Sequence, residues 1–158
     1  MRVVALFIVV LSLVFNSFGQ CPNPNDYLRA DTKNGWGKNS QSKSGYLKPG
    51  ETYELNFIAQ RGMEYRITVL AGNDNFSDEN VNFQLYHTQV EKVEEKGKQV
   101  YKRLRSIIFD SNEDEGEVKF ATDQTRKISL DVSIENYRKP QCVIVFIEVR
   151  KSKKLGFR

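Results

Sequence analysis

The side chains that do most of the bond-making in enzymes are almost missing from this chain. Its 158 residues include one histidine, His87, and two cysteines, Cys21 and Cys142. A zinc centre takes three or four ligands, so one imidazole and two thiols fall short without carboxylates. A Ser-His-Asp or Cys-His site needs an imidazole in reach of a nucleophile. Only His87 offers one, and it continues the apolar phase Val81, Phe83, Leu85, as a strand-end residue does. No phosphate-binding glycine loop occurs. Glycoside hydrolysis needs two acids about 5–10 Å apart across a cleft; Asp131 and Glu148, the acids set inside apolar runs, fall on the polar phase of those runs. These absences point away from an enzyme. The alternative kept open is a small secreted hydrolase built on His87.

Long apolar runs are also scarce. Val3–Phe15 follows Arg2 and precedes Ser17-Phe18-Gly19, the pattern of a cleaved secretory leader over residues 1–19. That run is shorter than the about 20 residues a membrane helix needs, and no later run approaches that length, so no membrane span is expected. The rest, residues 20–158, suits a single domain. A secreted or periplasmic location follows. The competing reading is an outer-membrane lipoprotein acylated at Cys21, against which bulky, polar Gln20 stands immediately before the cysteine. Charge of one sign is lacking too: 24 bases face 20 acids, a net +4 mixed along the chain. Such a balance aids solubility and gives no nucleic-acid footprint.

What the sequence does hold is two-residue periodicity. Tyr53, Leu55, Phe57 and Ala59 alternate with polar residues; after Arg61-Gly62, Tyr65, Ile67, Val69 and Ala71 resume. Tyr46–Ala71 therefore reads as a half-buried antiparallel hairpin. Val81–His87 gives a third strand. Gln89–Leu104 reads as a long exposed hairpin turning at Glu95-Lys96-Gly97-Lys98, in preference to a helix. Ile128, Leu130, Val132 and Ile134 give another strand, and the continuous run Cys142–Val149 reads as a central strand buried on both faces. Seven or eight short strands without a convincing helix predict an all-β antiparallel sandwich of jelly-roll or immunoglobulin-like type. An oxidising compartment favours a Cys21–Cys142 disulfide over two free thiols.

Candidate sites are few. Trp36, between Gly35 and Gly37, is either a plug at one end of the core or, with Tyr46, an exposed ligand platform. No organic cofactor is implied. Calcium is the possible metal: Asp110, Asn112 and Asp114 place oxygens at alternate positions, although Gly116 comes a residue later than a helical-hand loop requires. Asp74, Asp78 and Glu79 form a second acidic loop. The tail Arg150–Arg158 is basic and suits anionic surfaces or a solvated end.

Ser44–Tyr53, with Phe57, Gly62, Tyr65–Val69 and the pair Leu85-Tyr86, resembles the front half of bacterial pre-peptidase C-terminal (PPC-like) sandwich modules. That resemblance covers about a third of the chain and consists of turn-and-strand pattern. Val81-Asn82-Phe83-Gln84 stands where the family carries acidic residues. The resemblance implies an accessory module of secreted proteins. The expected function is a non-catalytic binding module for a protein or a glycan, at the cell surface or in the periplasm. A calcium-stabilised structural protein is the further alternative.

Overall fold

The computed structural model describes residues 21–95, 98–114 and 117–152. The leader, the Lys96-Gly97 turn, Gly116 and the end of the basic tail lie outside the described residues. Within them nine strands form: β1 (Gly37–Lys38), β2 (Lys43–Leu47), β3 (Tyr53–Ala59), β4 (Met63–Gly72), β5 (Val81–Glu95), β6 (Lys98–Asp110), β7 (Val118–Ala121), β8 (Arg126–Ile134) and β9 (Gln141–Lys151). Among the described residues helix is confined to α1 (Pro24–Tyr27) and one 3-10 turn, Thr32–Asn34.

The strands make two antiparallel sheets. In the first, β1 and β2 follow each other along one side of β9, and β4 then β7 lie on the other. The second runs β3-β8-β5-β6. The pairings β2 with β9, β3 with β8, β4 with β7 and β5 with β6 are nested one inside the next and alternate between sheets. That is the rolled double sheet of a jelly roll, so of the two expected sandwich types the chain adopts the first.

The stretch Tyr46–Ala71 departs from expectation. β3 and β4 do not pair; they belong to opposite sheets. Alternation records that one face of each run is buried, and both bury it against the same core from opposite sides. The Gln60–Gly62 turn carries the chain across. Gly62 has φ +79° and its N–H donates to the Thr122 carbonyl at 2.9 Å. The Gln60 N–H donates to Tyr65 Oη at 2.7 Å.

Between the sheets lie Leu55, Phe57, Tyr65, Ile67, Val69, Leu85, Ile128, Leu130, Val132, Val143, Val145 and Ile147, none more than 3% exposed. β9 is central, as its composition predicts, and Cys142 through Glu148 are buried without a break. Its core face meets the second sheet. Its other face is covered by the segment before β1, which the Cys21–Cys142 disulfide ties down. The Asp31 N–H donates to Glu148 Oε1 at 2.9 Å, a second fastening.

Candidate interaction site

β5 leaves the sandwich part-way along its length. Its ladder with β8 ends at Tyr86 opposite Ser129. Its pairing with β6 continues from His87 opposite Ser106 to Glu95 opposite Lys98, nine rows in which, among the described residues, the two strands pair only with each other. At about 3.3 Å per row that is roughly 30 Å of two-stranded ribbon. Where the ribbon departs, the register shifts between Leu85 and Tyr86, leaving Ile108 as an extra residue on β6. A bulge of this kind adds twist and re-aims the strands.

The chemistry of this arm follows from its pleat. Partners across an antiparallel ladder share a face. One face carries Val90 and Tyr101, with Ile107 at its base; the other carries Val93, Val100 and Leu104. Tyr101 is 68% exposed and Val90 62%. A two-stranded ribbon wet on both faces is at best marginally stable, so apolar side chains on both faces are unexpected unless something covers them. Charge divides by strand. Lys98–Arg105 holds Lys98, Lys102, Arg103 and Arg105 with no acid, whereas β5 carries Glu91, Glu94 and Glu95 on its outer half. Glu91 stands opposite Lys102 in register.

The base of the arm is latched. Arg105 reaches Asp131 of β8 at 2.9 Å and lies 4.2 Å above the Tyr86 ring, whose hydroxyl donates to the same carboxylate at 3.2 Å. Burial first, and Asp131 second, push the Tyr86 phenol up. On the opposite face His87 lines a small cavity of about 140 Å³ with Ile108, Phe120, Thr122 and Arg126. His87 Nε2 lies 3.2 Å from Arg126 Nη1 and 2.8 Å from Gln89 Nε2. Burial, then the Arg126 cation, lower the imidazole's pKa. A guanidinium and an amide thus stand at the ring where a triad would place an acid, and the acid of the cavity, Asp123, accepts from Arg126 at 3.0 Å.

The other candidates are scattered. Cys21 and Cys142 form the expected disulfide. With its sulfur in that bond, Cys21 has no thiol left to carry a lipid. Trp36 is 3% exposed and so is no open platform; it is sandwiched on the outer face of the first sheet, 4.9 Å under Arg66 and 4.2 Å under Arg150. Tyr46 is exposed, but it stands opposite Cys142 whereas Gly37 stands opposite Val149. The two rings are therefore roughly 20 Å apart along β9 and share no surface. Asp110 turns its carboxylate onto the Asn112 N–H at 3.0 Å and Gln84 Nε2 at 2.9 Å. Those bonds hold its pKa below the usual carboxylate value. Asp114 accepts from the Asp110 N–H at 2.8 Å. Among the described residues no three acidic, histidine or cysteine side chains converge as a metal site would require. At the end of the sandwich away from the arm, Asn75, Asn80, Asn136, Tyr137 and Arg138 line an open polar cleft of about 510 Å³.

Sequence reasoning found the arm as a hairpin and missed it as a site. The signal was present: four bases in the eight residues Lys98–Arg105, interleaved with Val100, Tyr101 and Leu104. No protein-family model matches this chain, and no curated protein matches it. No helix among the described residues is long and apolar enough to cross a membrane.

Proposed function

We propose that this chain is an exported, non-catalytic jelly-roll module that recognises another protein through the β5–β6 arm. One observation carries the reading: apolar side chains stand exposed on both faces of a ribbon with which, among the described residues, no further strand pairs beyond the sandwich. The leader pattern at residues 1–19 and the disulfide support export. The rigid sandwich, latched through Arg105 and Asp131, serves to hold the arm out.

Site-specific photo-crosslinking in the cells that make the protein tests this. A photoreactive residue at Tyr101 gives a discrete protein adduct, and the same residue at Lys43, exposed on β2, gives none. The reading falls if Tyr101 yields no adduct above background. It falls equally if a glycan array finds a sugar whose binding is abolished by Asn75→Ala or Asn136→Ala, which would move recognition to the polar cleft.

A further inference from the structure

Resting on that reading of the arm, the geometry points to how it is used: the free edge of β6 takes an extended, acidic segment of another polypeptide as an additional strand. β6 ends its sheet, and among the described residues nothing pairs with its outer side. At 13 residues it is much longer than the edge strands β3 and β7, with 7 and 4. An open edge offers a row of backbone N–H and C=O groups that an incoming strand can satisfy.

Side-chain charge selects the occupant. Lys98, Lys102 and Arg103 lie along this edge strand beyond Arg105, whose charge Asp131 already holds, and no acid occurs from Lys98 to Phe109. Basic residues on an edge strand also guard against self-association, and a second copy of β6 would set base against base. The same charges attract an acidic strand. β5 already illustrates the fit on the other side of β6, with Glu91 opposite Lys102. Both faces of β6 mix basic with apolar groups: Lys98, Val100, Lys102 and Leu104 alternate on one, and Tyr101, Arg103 and Ile107 share the other. The preferred partner segment therefore alternates acidic with β-branched residues.

The test uses the mature protein and two synthetic peptides. In one, valine and threonine alternate with glutamate. In the other, proline replaces the valines and threonines, so charge is kept and backbone donors are lost. The first peptide binds and slows amide exchange in β6; the proline peptide does not. Lys98→Glu combined with Arg103→Glu weakens binding about tenfold, the scale of two exposed charge pairs. Both positions are exposed, and an unchanged circular dichroism spectrum and melt show that the variant is folded. Equal binding of the two peptides overturns strand addition in favour of charge alone. Absence of binding by either also overturns it. In both cases Tyr101 adducts, if present, leave the arm as the docking element, and their absence removes that reading as well.

Discussion

Arg66 on β4 and Glu148 on β9 are register partners joined by two charge-assisted bonds, Nε to Oε2 at 2.5 Å and Nη2 to Oε1 at 2.6 Å. Glu148 is 3% exposed, beneath the segment that covers the first sheet. Its Oε1 also accepts the Asp31 N–H, so one carboxylate fastens a strand, its neighbour and the covering segment.

Removing that carboxylate leaves Arg66 with its nearest partner gone. Glu148→Ala is expected to lower stability by about 3 kcal/mol or more, the usual cost of breaking a buried pair. Glu148→Leu with Arg66→Met is expected to recover much of the loss, because two apolar side chains leave no stranded charge. Urea midpoints at constant m-value check both. A Glu148→Ala variant as stable as the parent would show that the pair contributes nothing, and a double variant no more stable than the single would show that no stranded charge causes the loss.

The disulfide closes a loop over a separation of 121 residues. Chain entropy for a loop of that size is worth about 4–5 kcal/mol. Cys21→Ser with Cys142→Ser should lower the urea midpoint accordingly. Trypsin should then cut first at exposed Arg29 or Lys33, in the covering segment the bond holds down. If cleavage starts elsewhere, the disulfide does not anchor that segment.

His87 holds its proton less tightly folded than unfolded, through burial and then Arg126. A base with a depressed folded value gives stability that is complete above its ordinary pKa near 6.5 and lost as pH falls through the folded value. Asp110 and Glu117, whose ordinary values are 3.8 and 4.5, add pH dependence only at more acid pH. Midpoints measured from about pH 7 to about pH 5 should fall for the parent and stay flatter for His87→Gln. Parallel slopes would exclude His87 as the cause.

Gly72 ends β4 with φ +155°, and a Cβ placed there would lie 2.1 Å from the Asn75 carbonyl oxygen. Backbone on backbone has little room to yield. Gly72→Ala is expected to cost about 2–3 kcal/mol, through strain and a displaced loop. Gly50→Ala, at φ +79° with open space around it, should cost less, about 1 kcal/mol. A thermal melt comparing the two variants checks the order.

How far the sequence could be read depended on what each pattern encodes. Burial phase was legible: Leu55, Phe57, Ile128, Leu130 and Val132 all face the core their alternation predicts. The double burial of β9 was legible from its unbroken apolar run. Sheet membership was not, because β3 and β4 carry the same phase whether they pair or face each other. Trp36 misled for a related reason. Its glycine neighbours allow a turn, but its burial comes from Arg66 and Arg150, which lie 30 and 114 positions away. At Asp110 and Asp114 spacing shows which oxygens are available, and no more. The loop's own N–H groups, which take them up, appear only once the chain is folded.

The nesting of the strands also sets an order of assembly. β2 meets β9 across roughly a hundred intervening positions, with Lys43 opposite Val145, whereas β5 ends at Glu95 and β6 begins at Lys98. Closing distant segments is entropically slow, and nearby ones rapid. The arm's hairpin is therefore expected to zip first, the rolled pairs to follow inward to outward, and the Cys21–Cys142 bond to seal a shell already shut. Pulse-labelled exchange during refolding should protect amides of β6 before those of β2.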